Sequence, residues 1–202
     1  MVKTIEGKLA VLVIDVQNEF VDPKGSLYCE GGPDIIPQVN RITEAARKAG
    51  APVIFTQEFH RKEEIDFGRE LDGAEPCHCV EGTWGVQLAP KMNVEKNDYV
   101  LTKPRYSAFL YTDLAILLNG LGILPGDTLI FCGVAVPLCL TLSTADAHQR
   151  DYRVRVVDEA AACLPGFTPE EREGMLKTFE YMQAGGRVKM DDMMAAIANY
   201  KK

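Results

Sequence analysis

Residues 9–15 read LAVLVID, and this short stretch decides the fold class. Apart from its final aspartate the run is entirely apolar, without alternation of polar and apolar positions. Such a continuous run is typical of a strand that is covered on both faces, as in a parallel sheet. We therefore predict a buried strand that ends at the carboxylate of Asp15.

Short apolar runs of the same kind recur along the chain, separated by stretches with helical spacing. Further strands are predicted at residues 52–56, 98–103, 128–132 and 153–157, with a short sixth strand at 187–190. Helices are predicted at residues 35–49, 111–120, 137–149 and 169–183, and from residue 191 onward. Alternating strands and helices form a parallel sheet with helices on both faces, joined by right-handed crossovers. The sequence therefore predicts one α/β domain over residues 1–202.

The connection at residues 57–97 does not fit this alternation. It contains charged residues, prolines, glycines and the only tryptophan of the chain, Trp84. Connections of this length in a compact domain usually have a function, as a lid or as the wall of a pocket. We expect this connection to form such a lid or wall.

Charge and composition argue against several classes of function. The 202-residue chain carries a formal net charge of -7, which disfavours nucleic acid or an anionic membrane as its main partner. It has no apolar run of the roughly 20 residues that span a bilayer, and its N-terminus lacks a signal-peptide cleavage pattern. We therefore expect a cytoplasmic protein with a small-molecule substrate, whose six cysteines are thiols rather than disulfides.

Three reactive side chains lie at the predicted ends of strands. Asp15 ends the first strand, Lys103 ends the third, and Cys139 lies just beyond the fourth. Ligands of parallel α/β sheets bind at the carboxyl ends of strands, where the winding reverses, so the three groups could meet in one crevice. The alternative is structural: a buried cysteine, a strand-end cap and a solvated lysine before Pro104. These residues alone leave both interpretations open.

A thiol, a cation and a carboxylate in one crevice would suit nucleophilic catalysis. A thiolate is the reactive form of cysteine, and a helix N-terminus or a nearby cation lowers the thiol pKa. Cys139 falls in the first turn of the helix that we predict to start at Pro137, and Lys103 would supply the cation. Asp15 would act as general base and then as general acid. We therefore predict that Cys139 has the lowest pKa of the six thiols.

Four motifs identify a family resemblance. They are VIDVQNEF at 13–20, HCVEGTWG at 78–85, KPRYSAF at 103–109 and CGVAVPLCLTLSTADA at 132–147. Together they resemble the isochorismatase-like cysteine hydrolases, which include nicotinamidases, N-carbamoylsarcosine amidohydrolases, and ureidoacrylate and biuret hydrolases. The resemblance covers nearly the whole chain. It implies a three-layer α-β-α fold with a six-stranded parallel sheet in the Rossmann-like order 3-2-1-4-5-6.

The resemblance also implies a catalytic site and a reaction. It assigns a triad to Asp15, Lys103 and Cys139, and a cis peptide to the Val134–Ala135 bond. The oxyanion would be held by the backbone N–H groups of Ala135 and Cys139. The implied reaction cleaves a C–N bond of a small amide, ureido or carbamoyl substrate through a thioester. The alternatives are a vinyl-ether hydrolase of the isochorismatase type and a non-catalytic member that serves as a binding module.

The chain departs from the family pattern at positions that bear on substrate contacts and metal ligands. Val136 and Pro137 replace the usual Thr-Asn or Thr-Asp pair. Nicotinamidases carry D-x-H and a further histidine as metal ligands, whereas residues 57–71 offer Glu58 and His60 without a second histidine nearby. We therefore predict that the chain uses no metal and no cofactor. As a separate expectation, we predict that it forms a homo-oligomer. The expected substrate-binding residues are Phe20, Glu58, His60, Trp84, Tyr106 and Val134, with Phe109 either in the pocket wall or in the core.

Overall fold

Strands and helices alternate through the part of the chain that the computed structural model describes, residues 4–201. The strands are β1 (Leu9–Ile14), β2 (Val53–Glu58), β3 (Tyr99–Lys103), β4 (Thr128–Gly133), β5 (Arg153–Ala161) and β6 (Arg187–Val188). The α-helices are α1 (Asn18–Val21), α2 (Gly32–Lys48), α3 (Leu114–Gly120), α4 (Thr141–His148), α5 (Pro169–Met182) and α6 (Met190–Ala198). Among residues 4–201, no helix has both the length and the apolar character required to cross a membrane.

The six strands form one parallel sheet in the order β3-β2-β1-β4-β5-β6. The predicted fold class and strand order are confirmed. The chain first builds the sheet outward from β1 to β3 and then returns to place β4 on the other side of β1. Its winding therefore reverses between β1 and β4, and a crevice forms at their carboxyl ends. Asp15 follows β1 directly, and Cys139 lies a few residues beyond β4.

The central strand β1 explains why the sheet has a core on each face. All six of its residues are buried. Leu9, Val11 and Val13 enter one apolar core, whereas alternate residues of the same strand enter the other. Side chains of a strand point alternately to opposite faces, so a strand between two helix layers must be apolar throughout. The prediction made from LAVLVID is confirmed.

The helices cover the two faces in separate groups. Helices α2 and α6 contribute buried residues to the core that holds Leu9, and helices α3, α4 and α5 contribute to the other core. Helix α5 begins at Pro169, as predicted, and Thr168 is its N-cap. The Thr168 hydroxyl accepts a hydrogen bond from the Glu171 N–H, and the Glu171 carboxylate accepts one from the Thr168 N–H. This reciprocal capping box satisfies two backbone donors of the first turn.

Several boundaries differ from the prediction for identifiable reasons. Helix α3 begins at Leu114 rather than at residue 111, because Tyr111 has a left-handed φ of 60° that a helix cannot contain. Strand β5 continues past residue 157 to Ala161 through the charged Asp158. That carboxylate is buried, and it forms ion pairs with three basic side chains, those of Arg172, Arg187 and Lys189.

The helix predicted at residues 137–149 is divided in two. Residues Val136–Leu140 form a π-helical turn, and α4 follows from Thr141 to His148. The Thr141 hydroxyl donates to the Val136 carbonyl and so ties the first α-helical residue to the start of the π-turn. Cys139 therefore lies in the π-turn and not in the first turn of an α-helix.

The long connection after β2 packs onto the carboxyl ends of the strands. Its regular structure is limited to one 3-10 turn, Glu70–Asp72, and to isolated bridges that join His60 to Val80 and Gln17 to Leu88. The side chain of Gln17 donates to the carbonyl of Val86 at 2.8 Å. These contacts hold the connection against the residues that follow β1.

Candidate functional site

The side chains of Asp15, Lys103 and Cys139 meet at the carboxyl ends of β1, β3 and β4. The ammonium nitrogen of Lys103 lies 2.8 Å from Asp15 Oδ2 and 3.4 Å from Cys139 Sγ. All three residues are buried. The structure thus brings together the three groups that the sequence placed at strand ends, while their catalytic roles remain a prediction.

The orientation of the Asp15 carboxylate is fixed by two neighbours. The Thr56 hydroxyl donates to Asp15 Oδ1 at 2.6 Å and accepts from the Asp15 N–H at 3.1 Å. The other oxygen, Oδ2, is left to Lys103. Sequence reasoning missed Thr56, although a threonine inside the apolar run of β2 was a signal that a polar group lies at that point of the sheet.

The turn before Cys139 has a distinctive backbone. The Val134–Ala135 peptide is cis, as the resemblance implied. Gly133 has a φ of 111°, and a Cβ at this position would lie 2.1 Å from the carbonyl oxygen of Ile14. Only glycine therefore fits where β4 leaves the sheet beside β1. The N–H groups of Ala135 and Cys139 belong to this turn, and their oxyanion-binding role stays a prediction.

The structure reverses the direction expected for the pKa of Cys139. Burial raises the thiol pKa well above its ordinary value, and Lys103 lowers it only in part because Glu58 and Asp15 add negative charge. The expected lowering of this pKa was wrong, because the sequence could not reveal that Cys139 is enclosed and faces two carboxylates. At rest, Cys139 is a neutral thiol beside an Asp15–Lys103 ion pair.

The pKa directions of Asp15 and Lys103 suit a proton transfer from that thiol. Burial raises the pKa of Asp15, although the Lys103 ammonium partly lowers it. Burial lowers the pKa of Lys103, but the charges of Asp15, Cys139 and Glu58 outweigh burial and raise it. Lys103 therefore stays charged, and Asp15 has more affinity for a proton than an exposed carboxylate has.

A second buried cluster adjoins these three residues. It consists of Glu58, His60, Glu70 and His78. His60 Nε2 lies 3.8 Å from Glu58 Oε1 and 3.5 Å from Glu70 Oε2, and His78 Nε2 lies 3.7 Å from Glu58 Oε2. Residues 57–71 contain no second histidine, as the sequence shows, but the connection folds back and returns His78 to the end of β2.

Glu58 belongs to the cluster and also faces the three residues at the strand ends. Its carboxylate lies 3.8 Å from Lys103 Nζ and 4.0 Å from Cys139 Sγ. Burial raises the pKa of Glu58, but the opposite effect of Lys103, His60 and His78 is larger. The pKa is therefore lowered overall, and the group is an ionised carboxylate. Burial lowers the pKa of His78, whereas the Glu58 carboxylate raises it to about 9. In the absence of metal, His78 and Glu58 therefore form an ion pair.

The donor set of this cluster fits a divalent metal ion. His78 Nδ1 lies 2.7 Å from the Pro76 carbonyl, which can only accept, so Nδ1 carries hydrogen and Nε2 points to the cluster. Within residues 4–201, Nε2 of both histidines and oxygens of both glutamates are buried without a hydrogen-bond partner. Two imidazoles and two carboxylates are common zinc ligands. The prediction of a metal-free chain rested on an incomplete set of ligands. The cluster contains four potential ligands, so that reason no longer holds.

Gln17, another residue that sequence reasoning missed, positions Glu58. Its side-chain oxygen accepts from the Glu58 N–H at 2.8 Å, and its amide nitrogen donates to the Glu58 carbonyl at 2.9 Å. The same nitrogen donates to the carbonyl of Val86 in the long connection. The only available signal was its place in the motif at 13–20, two residues after Asp15.

The remaining predicted substrate residues lie in different surroundings. Phe20 and Val134 are buried, and the Phe20 ring centroid lies 6.1 Å from that of His78. Tyr106 donates to Glu75 at 3.0 Å and lines a surface cavity of about 600 Å³. Trp84 is 48% exposed. Their contacts with substrate stay predictions.

Phe109, for which pocket and core were both open, packs in the core. It is buried among the apolar residues on the face of the sheet that α3, α4 and α5 cover. Its ring centroid lies 6.3 Å from that of Tyr152, and the Arg150 guanidinium lies 4.8 Å above it. The core alternative is therefore confirmed.

Lys103→Met is expected to move the acid limb of the rate–pH profile to higher pH. The ammonium lowers the pKa of Asp15, so its removal raises that pKa, and a base is active only when it is deprotonated. The same change raises the pKa of Cys139, which acts in the same direction. The measurement is kcat/KM against pH, with the exposed Lys24 changed to Met as a control. An unchanged profile would show that Lys103 does not act on the proton transfer.

Comparison with known proteins identifies the family to which this fold and site belong. The family model for the isochorismatase domain matches residues 9–189. A protein of Arabidopsis thaliana named as a probable inactive nicotinamidase is 34% identical over 167 residues, which cover 80% of this chain and 82% of that protein. The ureidoacrylate amidohydrolase of Methylobacterium radiotolerans is 30% identical over 164 residues, which cover 70% of this chain and 62% of that protein.

A solved structure shares the whole architecture. The crystal structure of the pyrazinamidase of Pyrococcus horikoshii in complex with zinc aligns with a TM-score of 0.76 at 30% identity. The alignment covers 91% of this chain and 98% of the pyrazinamidase chain. Since the family match extends over residues 9–189, nearly the full sequence, the protein belongs to the isochorismatase domain family.

Proposed function

We propose that this chain is a cysteine hydrolase that cleaves a C–N bond of a small amide, ureido or carbamoyl substrate. The observation that carries the proposal is the buried contact of Lys103 Nζ with both Asp15 Oδ2 and Cys139 Sγ. This contact supports a mechanism in which a nucleophile, a proton acceptor and a fixed positive charge act together on one substrate carbon. The names of the amidohydrolase and pyrazinamidase relatives support the reaction class.

In the first half of the reaction, Cys139 Sγ attacks the carbonyl carbon while Asp15 accepts the thiol proton. The tetrahedral oxyanion is held by the backbone N–H groups of Ala135 and Cys139. Asp15 then gives its proton to the leaving nitrogen, the C–N bond breaks, and ammonia or an amine departs. Lys103 stays protonated throughout and stabilises the negative charge on Asp15 and on sulfur.

The second half regenerates the thiol. Asp15 removes a proton from a water molecule, whose oxygen attacks the thioester carbon. The C–S bond breaks, the acid product leaves, and the sulfur of Cys139 takes back the proton from Asp15. A carboxylate whose pKa burial raises is suited to this alternation, since it must gain and lose one proton in each half.

The neighbouring cluster has a place in this proposal. Glu58, His60 and His78 would hold a divalent metal ion, which supplies a Lewis acid when it is bound. Glu58 would then connect the metal site with the reacting groups, because its carboxylate also lies 4.0 Å from Cys139 Sγ. Gln17 keeps Glu58 in that position through its two backbone hydrogen bonds.

A non-catalytic binding module is the second candidate, and two observations favour it. The Arabidopsis relative is named as a probable inactive nicotinamidase. Cys139 is only 5% exposed, so little of its surface is accessible to a substrate. A binding module would keep the three buried side chains but would turn over no amide.

A substrate panel with a trapping step separates these candidates. The wild-type chain is assayed for ammonia release from primary amides, N-carbamoyl amino acids and ureido acids, each with and without hydroxylamine. Release of ammonia with formation of a hydroxamate or N-hydroxyurea supports an acylated thiol. Binding of panel members without any release supports the binding module. Turnover of a vinyl ether, with none of any amide, would instead assign the chain to the isochorismatase type of reaction.

A further inference from the structure

Strand β5 bulges where it runs beside the end of β4. In the pairing of the two strands, β4 passes from Phe131 to Gly133 while β5 passes from Val156 to Ala161, so β5 contains the extra residues. Bulges are common next to active sites, where they redirect the chain. Ala162 follows this bulge directly, and it is the residue through which β5 reaches the turn after β4.

Ala162 holds that turn at both of its ends. We call residues 133–136 the oxyanion turn, because they include Ala135, whose N–H the proposed mechanism uses for the oxyanion. The Ala162 N–H donates to the Gly133 carbonyl at 3.2 Å, and the Val136 N–H donates to the Ala162 carbonyl at 2.9 Å. The position of the Ala135 N–H therefore depends on where the bulge places Ala162.

Arg172 of helix α5 fixes the bulge. Its Nη2 donates to the carbonyls of Asp158 and Ala161, at 2.9 and 3.0 Å, and both carbonyls belong to the bulged part of β5. Its Nη1 lies 3.1 Å from Asp158 Oδ1, whereas Oδ2 is bonded to Arg187 and Lys189. Since a guanidinium is planar and rigid, the three contacts of Arg172 hold the bulge in one shape.

We propose that Arg172 is a positioning residue for the oxyanion turn, a role that rests on the proposed function through the Ala135 N–H. Arg172 acts through the bulge and Ala162 and needs no contact with the substrate. Donors to an oxyanion are effective when they are preorganised at the place where the negative charge develops. Without Arg172 the turn loses its support on the β5 side, so the chemical step should slow while substrate binding changes little.

Hydrogen exchange of the full chain tests the link between Arg172 and the turn without any substrate. Amide exchange is followed by mass spectrometry in peptides that cover residues 130–141, and a peptide from β1 serves as the reference. Arg172→Gln should increase exchange in residues 130–141 by about tenfold or more, because the Val136 N–H loses a firmly held acceptor once the charged hydrogen bonds to the bulge are gone.

Arg187→Gln is the matched control for this variant. Arg187 bonds to the same Asp158 carboxylate, but its other partner is Glu173 rather than a carbonyl of the bulge. The control removes a buried charge from the same cluster of ion pairs. It should leave exchange in the oxyanion turn and turnover unchanged, even if it lowers the melting temperature as much as Arg172→Gln does.

Kinetics with the primary amide that the panel turns over fastest test the catalytic consequence. Arg172→Gln should lower kcat about 10–100-fold with KM changed less than about twofold, since a displaced group can cost about 10²-fold. The matching aldehyde is the second probe: its carbon bonds to Cys139 Sγ, Asp15 takes the thiol proton, and the aldehyde oxygen becomes the oxyanion. Aldehyde affinity should fall with kcat. Alkylation of Cys139 by iodoacetamide, which forms no oxyanion, should keep its rate.

The outcomes separate this proposal from the proposed function. Exchange at the wild-type rate in Arg172→Gln would overturn the proposal, whether or not the chain hydrolyses an amide. Faster exchange with unchanged kcat and aldehyde affinity would also overturn it, as would an equal slowing of iodoacetamide alkylation. A wild type that turns over no amide contradicts the hydrolase, and the exchange result then decides the role of Arg172 by itself.

Arg172→Lys covers the case in which Arg172→Gln does not fold. Lysine keeps a positive charge for Asp158, but its single nitrogen cannot replace the two nitrogens that reach the carboxylate and the two carbonyls. Exchange in residues 130–141 should therefore still be faster than in the wild type. Exchange at the wild-type rate in a folded Arg172→Lys variant would overturn the proposal.

Discussion

Cys139→Ala is expected to lower kcat for the preferred amide by on the order of 10⁶-fold, the scale seen when a catalytic nucleophile is removed. Alanine leaves the buried surroundings apolar and takes away the only atom that can form the thioester. The Asp15–Lys103 pair, 2.8 Å apart, does not involve the thiol and should persist. The measurement is ammonia release at saturating substrate, together with a search for the acylated protein by mass spectrometry after rapid quenching.

The matched control for this variant is Cys132→Ala. Cys132 is as buried as Cys139, but it lies within β4, with its sulfur 3.8 Å from the carbonyl oxygen of Leu12. The control should keep normal turnover, although it removes the same atom from the core. If Cys139→Ala retained most of the wild-type rate, the thioester route would be excluded and a reaction without a thiol would replace it.

Asp15→Asn is expected to lower kcat by roughly 10²–10⁴-fold, the usual contribution of general acid–base catalysis. Asparagine has nearly the same shape and can still accept the hydrogen bond from the Thr56 hydroxyl. It cannot take the proton of Cys139 or return one to the leaving nitrogen. The thiol pKa is raised by burial, so the loss of this base leaves a neutral, weak nucleophile.

The measurement for Asp15→Asn combines steady-state kinetics with thermal unfolding. Asp113→Asn, at the exposed N-cap of α3, serves as the control and should leave kcat unchanged. If Asp15 had only a structural role, the variant would lose thermal stability and keep its activity. The melting temperature of Asp15→Asn would then fall while its turnover survived, and Asp15 would have no part in the proton transfer.

The sheet and the three strand-end residues could be predicted because short stretches of the sequence are enough to identify them. A buried parallel strand must be apolar throughout, so LAVLVID indicates both the strand and its end at Asp15. Lys103 and Cys139 follow from the same rule, since the carboxyl ends of parallel strands share one edge. What local patterns could not supply was the degree of enclosure, and for this reason the pKa direction of Cys139 was wrong.

The buried cluster could be predicted only in part, for Glu58 and His60, because its other members join it through an irregular segment. His78 returns to His60 across a single bridge to Val80, and neither helical nor strand spacing encodes that approach. Glu70 lies in a 3-10 turn within a highly charged stretch. In the sequence, this buried glutamate cannot be told apart from the exposed acidic residues around it. Sequence periodicity reveals helices and strands, whereas these side chains are positioned by an irregular loop that has no sequence periodicity.

The contacts of Gln17 also set an order in which the molecule can assemble. Its side chain bonds to Glu58, 41 positions away, and to Val86, 69 positions away. Closing loops of that length costs chain entropy before any contact is gained, so such contacts form late in folding. Pairing of β1 with β2 brings Gln17 next to Glu58 by closing one such loop, and the contact with Val86 closes a longer one, so we expect the long connection to dock after these two strands have paired. A nascent chain released before β4 has joined β1 would carry all four members of the buried cluster and still lack the cysteine turn beside them.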